Sequence, residues 1–276
     1  MPLLVWIVLC AALGGIASAA LAVVFLWIPE PRAARMLPHF VSFATGALLG
    51  AALLALLPEA MAGAGVAGAH AIGLTLIAGL GVFFVIEKLV LWWHTRGDED
   101  AVLGHQQGHP QAGHGQHTHA GHSHGRDHAS GVLVLVGDSV HNALDGVLIA
   151  AAFLTSVSLG LMTTLAVAAH EIPHRVGDFA ILVHAGFSRA RALLLNIATG
   201  LASIVGAVAA YYGLREALHV LPYALAFAAA GFLYIAVAGL IPGLHRRADP
   251  LTSLIQVLLI SLGIIVIAGA ERLAGQ

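Results

Sequence analysis

The chain has 276 residues, 59% hydrophobic and 9% charged, with a net charge of −2 and a mean hydropathy of +0.91. A soluble globular domain carries about 25% charged residues, so a water-soluble fold of this size is excluded. The single cysteine, Cys10, excludes a disulfide scaffold, and the near-neutral charge gives no reason for a nucleic-acid partner. Histidine is out of proportion: 17 residues, against 12 Lys+Arg and 14 Asp+Glu.

Apolar runs predict an all-α integral membrane protein, a single transmembrane domain over 1–276. Its eight spans lie near 3–28, 39–60, 69–93, 131–155, 159–184, 191–212, 221–243 and 251–270, a span needing about 20 apolar residues. The first lacks a basic leader and reads as a retained helix. With the N-terminus outside, the inner loops and their edges hold Arg32, Arg35, Arg96, Arg126, Arg189, Arg191, Arg246 and Arg247. The outer loops and the C-terminal tail hold only Arg215 and Arg272. Basic residues accumulate on the cytoplasmic side, so both termini are expected outside and the 95–130 loop inside. The expected location is an inner or plasma membrane.

That loop, between the third and fourth spans, carries His105, His109, His114, His117, His119, His122, His124 and His128 among Gly, Gln, Ser and Ala. Such a composition cannot bury a core and is expected to be disordered. Its imidazoles suit capture of zinc, copper or nickel; the plain alternative is a polar linker.

Charge at mid-bilayer is costly, so intramembrane ionisable residues are functional candidates. They concentrate on two neighbouring spans. The fourth carries Asp138, His141, Asn142 and Asp145; the fifth carries His170, Glu171, His174, Arg175, Asp178 and His184. His141 and Asp145 are four residues apart and share a helix face, as do His170 and His174. Antiparallel packing would oppose those faces, giving three imidazoles and one carboxylate, a set suited to Zn²⁺. Fe²⁺, Mn²⁺ and Co²⁺ accept the same ligand types, and Cd²⁺ is not distinguished by the sequence. Asn142 and Glu171 each lie one residue further on and are candidates for a second site, with His174 shared. Arg175 is spaced to pair with Glu171 or Asp178, and that ion pair competes with the second site. Asp138, one turn before His141, is expected to support it or to mark an exit path. Glu59 reads as an outer entrance or a solvated helix end, and Glu87 and Lys88 as residues near the inner interface. Pro173 interrupts the hydrogen bonding of the fifth span, and Gly146 and Gly177 are expected to permit close helix approach.

The stretches His141-Asn142-Ala143-Leu144-Asp145-Gly146 and His170-Glu171-Ile172-Pro173-His174 resemble the fourth- and fifth-helix signatures of the ZIP (Zrt/Irt-like) metal transporters, in the subfamily bearing HEIPH. The stretch from Phe43 to Pro58-Glu59-Ala60, the pair Glu87-Lys88, and Gly231 to Ala236 extend the likeness over nearly the whole chain. The resemblance implies an eight-helix carrier of Zn²⁺ and related ions toward the cytoplasm, a homodimer with no organic cofactor. It also implies a 3+2+3 arrangement with an inverted repeat, helices 1, 4, 5 and 6 moving against 2, 3, 7 and 8. The first metal would use His141, Asp145, His170 and His174; the second, Asn142, Glu171 and His174. The chain departs from the family pattern at Arg175, where Glu is usual. It departs again at Gly239 and Gly243 in the seventh span, at Ala51 and Ala55 in the second, and at Ser203 in the sixth.

Two other classes compete. The same five residues, His170 to His174, match the HExxH pattern of zinc proteases, in which the Glu is the general base. A Pro within the motif and a second ligand pair that would fill the open coordination position argue against it. A membrane metal sensor or store suits the His-rich loop, but ligands at mid-membrane suit passage better. Deleting 104–129 is expected to leave zinc uptake in reconstituted vesicles intact and to lower the zinc bound per chain. Loss of all uptake in a well-folded deletion would contradict an accessory role for the loop.

Overall fold

The computed structural model describes residues 2–20, 30–103, 123–184, 186–245 and 249–274. Among them every regular element is helical. The first, α1 (Leu3–Ala12), continues through a π-helical turn at Leu13–Ala17. The second, α2 (Glu30–Gly50), continues through another at Ala51–Leu56 into the first turns of α3 (Leu57–Leu103). Next come α4 (Ser123–Thr155), α5 (Val157–His184) and α6 (Arg189–Arg215), then a 3₁₀ turn at Leu218–Val220. A seventh helix, α7 (Leu221–Tyr234), extends through a π turn at Ile235–Leu240 to Leu244, and α8 spans Pro250–Ala274. Within α3 the chain reverses at Gly65, whose φ of 67° and ψ of 178° suit only glycine. The weak sequence break near 61–68 is therefore a real corner. The stretches Leu3–Ala20, Arg35–Leu89, Arg189–Arg215, Leu218–Leu244 and Pro250–Arg272 are long and apolar enough to cross a bilayer.

The helices run further than the apolar runs. Both ends of the expected 95–130 loop are helical, since α3 reaches Leu103 and α4 begins at Ser123. Once a helix is nucleated, each added residue gains a hydrogen bond whether or not it is apolar. Hydrophobicity alone therefore marks its end too early. His105, His109, His114, His117, His119 and His122 lie outside the described residues; His124 and His128 fall on the first turns of α4.

Packing places α4 and α5 at the centre. A single residue, Ser156, joins them. Its Oγ accepts from Leu159 N at 3.1 Å, capping α5. Its own N–H still donates to Ala152 at 3.0 Å, completing α4. Gly160 lets the hairpin close over Phe153, whose ring would lie 2.3 Å from a Cβ placed there. Against this hairpin α4 packs on α6, and α5 on α2; α1 lies along α6, α3 along α7, and α2 along α8.

Three of these crossings are backbone-to-backbone contacts at paired glycines. A Cβ on Gly146 of α4 would sit 1.9 Å from the Ser203 carbonyl oxygen, and one on Gly206 of α6 would sit 2.0 Å from that of Ala143. Gly15 and Gly200 meet in the same way between α1 and α6, and Gly46 and Gly263 between α2 and α8. Small residues let helices approach when lipid offers no hydrophobic drive to association. Gly177, expected to act alike, makes no such contact: a Cβ there would have nothing within 4 Å among the described residues. It faces away from the crossing helices. Gly146→Ala and Gly206→Ala should each destabilise the protein by about 1–3 kcal/mol through overpacking. Gly177→Ala should be neutral or stabilising by up to about 1 kcal/mol. Unfolding midpoints in detergent measure all three; equal losses would refute the close-contact account.

Candidate metal site

The single-residue turn sets the height of the ligands. His141 lies 15 residues before Ser156 and His170 lies 14 after it, so the two rings meet at the same level of the hairpin. Their Nε2 atoms are 3.3 Å apart. Asp145 Oδ2 lies 3.7 Å from His141 Nε2 and 3.5 Å from His170 Nε2. Glu171 Oε1 completes the group, 3.6 Å from His141 Nε2 and 4.0 Å from His170 Nε2. A tetrahedral zinc with bonds of 2.0–2.2 Å spaces its ligand atoms about 3.3–3.6 Å apart. The distances between each imidazole and its neighbours in the group thus stand at, or within a few tenths of an ångström of, that spacing, and all four atoms lie within 4.8 Å of one another.

His170 is held from behind. His170 Nδ1 is 3.1 Å from the Ala166 carbonyl, which directs Nε2 into the cluster. The Phe232 ring of α7, fully buried, meets His170 edge-on at 6.2 Å between centroids. Asp145 Oδ2 and Glu171 Oε1 are buried with no hydrogen-bond partner. Two such orphaned anionic oxygens aimed at two imidazoles are stabilised by a cation placed between them.

His174 does not join this group. Its Nδ1 is 2.8 Å from Asp178 Oδ2 and 3.8 Å from Asp138 Oδ1, and its ring stacks on His141 at 5.4 Å. Asp138, Glu171 and His174 form a second gathering of ligand-type atoms one turn along the hairpin. The fourth residue beside His141, Asp145 and His170 is therefore Glu171. Spacing of four along α5 brings His170 and His174 to one face, but Glu171 is the residue turned toward α4 at this crossing. Asp138 serves Asn142 and Arg175 rather than His141: it accepts from Asn142 Nδ2 at 2.9 Å and from Arg175 Nη1 at 2.8 Å.

Arg175 is wholly buried. Its Nη2 donates to Asn142 Oδ1 at 2.5 Å, and its Nε lies 2.9 Å from Glu171 Oε2, an ion pair angled away from hydrogen-bond geometry. Nη1 shares its protons among Asp138 Oδ2 at 2.8 Å, Thr199 Oγ1 at 2.6 Å, and the backbone and side-chain oxygens of Asn196, each at 2.9 Å. Asn196 Nδ2 returns a bond to the Arg175 carbonyl at 3.0 Å. Asn196 and Thr199 were not among the expected site residues, because α6 carries no charge in its interior. Two polar residues three apart in an otherwise apolar run are the signal that points to them.

The outlying candidates are separate from this cluster. Glu59 is exposed on the first turn of α3. Glu87 accepts from the Tyr234 hydroxyl, tying α3 to α7, and Lys88 lies over the Phe84 ring at 5.6 Å.

A buried hairpin bearing His₂, Asp and Glu that could hold a divalent metal, in a chain with five stretches long and apolar enough to cross a bilayer among the described residues, marks the class of multi-pass membrane proteins. The ZIP zinc transporter family model matches residues 3–271, and the chain belongs to that family. Zinc transporter ZIP13 of Pongo abelii is 37% identical over 246 residues, covering 83% of this chain and 65% of the relative. ZIP13 of Homo sapiens is 36% identical over 257 residues, covering 83% and 69%. Zinc transporter SLC39A7 of Mus musculus is 30% identical over 297 residues, covering 83% and 61%. The chain thus spans about two thirds of the length of these relatives, each named a zinc transporter.

His170→Ala should weaken zinc binding at least about tenfold more than His174→Ala, measured by competition with a fluorescent chelator. Equal losses would put His174 in the cage in place of Glu171.

Proposed function

We propose that the protein carries Zn²⁺ across a membrane toward the cytoplasm, with His141, Asp145, His170 and Glu171 as the midway ligands. One observation carries this reading: four ligand atoms within 4.8 Å of one another on the central hairpin of an apolar helical protein. Belonging to the ZIP zinc transporter family supports zinc as the substrate. Imidazole and carboxylate also admit Fe²⁺, Mn²⁺, Co²⁺ and Cd²⁺ as competing substrates.

Eight membrane helices and the 3+2+3 plan belong to the same proposal. Supporting them, α1, α4, α5 and α6 pack chiefly with one another, while α2 pairs with α8 and α3 with α7. Both termini face outside and the His-rich stretch faces the cytoplasm, where its imidazoles receive the released ion, in a plasma or inner membrane. A homodimer is the proposed assembly. His174 and Asp178 line the next step along the hairpin, and they give the departing ion weaker partners after the tight cage.

Hydrolysis is disfavoured by the state of Glu171. One carboxylate oxygen faces the cluster and the other faces Arg175, so neither is available to activate water as a general base. Storage without passage is tested by flux. Purified protein in zinc-tight vesicles should take up zinc, and His141→Ala and His170→Ala should each cut the initial rate more than about tenfold, the loss of about 1.4 kcal/mol in binding or barrier. Wild-type rates in both variants would overturn the assignment, and wild-type protein that binds zinc without flux would favour storage.

A further inference from the structure

The hairpin gathers a second set of ligand-type residues, Asp138, Glu171 and His174, and Asn142 stands beside them. A second divalent ion there would draw on the oxygens that face away from the first cluster. Those oxygens already have a cation. Asp138 Oδ2, Asn142 Oδ1 and Glu171 Oε2 lie 2.8, 2.5 and 2.9 Å from Nη1, Nη2 and Nε of Arg175. One planar guanidinium thus meets each of them through a different nitrogen. It is anchored from α6 by Asn196 and Thr199 and is fully buried. The remaining donor, His174, keeps its Nδ1 on Asp178.

We infer that Arg175 is a resident cation standing in the second metal position, so that the hairpin holds one divalent ion and not two. This rests on the proposed transport site. Three consequences follow from the charges. A second divalent ion would lie beside an immobile guanidinium in a low-dielectric interior, where like charges repel strongly. Asp138 Oδ2 and Asn142 Oδ1 are taken by Arg175, and Asp138 Oδ1 accepts from Asn142 Nδ2 at 2.9 Å, so the ion at His141, Asp145, His170 and Glu171 has no neighbouring ion to share a carboxylate with. Glu171 is fixed by its Oε2, which presents Oε1 to the cage. Arg175 is therefore a positioning residue for Glu171 and, in the same act, the residue that sets stoichiometry.

The test counts ions. Crystals of the full chain at saturating zinc, measured at the zinc absorption edge, should show one anomalous peak between α4 and α5, at the first cluster. In Arg175→Gln a second peak should appear at Asp138, Glu171 and His174. Equilibrium dialysis should then find one more zinc per chain than in wild type, the His-rich stretch contributing equally to both. Two peaks in wild type overturn the inference while leaving the transport site standing, and this arm decides even where R175Q does not fold. A folded R175Q that still holds a single ion also overturns it. No peak at the first cluster in wild type overturns the transport-site reading on which the inference rests, and zinc flux in vesicles checks that reading independently.

Discussion

A guanidinium buried among packed helices is the constraint that organises the centre of this protein. Removing such a charge from water costs several kcal/mol, recovered only if its protons find well-placed acceptors. Arg175 finds them on three helices at once: Asp138 and Asn142 on α4, Glu171 on its own helix, and Asn196 and Thr199 on α6. These contacts fix the rotation of α4 and α5 about their axes. With rotation fixed, the faces bearing His141, Asp145 and His170 have no choice but to meet. The network is thus structural and functional together, because the same carboxylate that neutralises Arg175 also reaches the zinc cage.

The glycine crossings are the complementary constraint. Polar groups can hold an arrangement only where backbones come close enough for short side chains to span the gap. Gly146 and Gly206 bring α4 and α6 into direct backbone contact, a few residues from where Asn196 and Thr199 reach across to Arg175. Close packing at the glycines and hydrogen bonding at the arginine are therefore successive parts of one interface. Neither would suffice alone in lipid, where apolar contact gives little preference for protein over acyl chain.

Much of this was legible from composition and spacing. The helical class, the concentration of ionisable groups on two neighbouring helices, and the gathering of His141, Asp145 and His170 follow from hydropathy and spacing. That Glu171, and not His174, stands beside those three did not follow. Four-residue spacing says which side chains share a face, but not which face the crossing turns inward, and Arg175 on α5 settles that through contacts remote in sequence. Asn196 and Thr199 showed only as polar residues in an apolar run, and Phe232 not at all, because each matters only through what it touches on another helix. Helix ends beyond the apolar runs, at Leu103 and Ser123, were missed because hydropathy reports apolarity and not hydrogen bonding. Gly146 was correctly singled out and Gly177 was not, since sequence cannot show which glycine lies at a crossing.

The one-residue link at Ser156 has a consequence of its own. All four ligand atoms of the cage come from a single contiguous stretch, 141 to 171, folded back on itself with no slack at the bend. The proposed cage is self-contained: a hairpin of this build could carry it as one piece without dismantling it. Access from either side is then governed by what the neighbours cover, as Phe232 of α7 covers His170. The ion's immediate chemistry and the route by which it arrives are, in this architecture, separable properties, carried by different helices and free to vary independently.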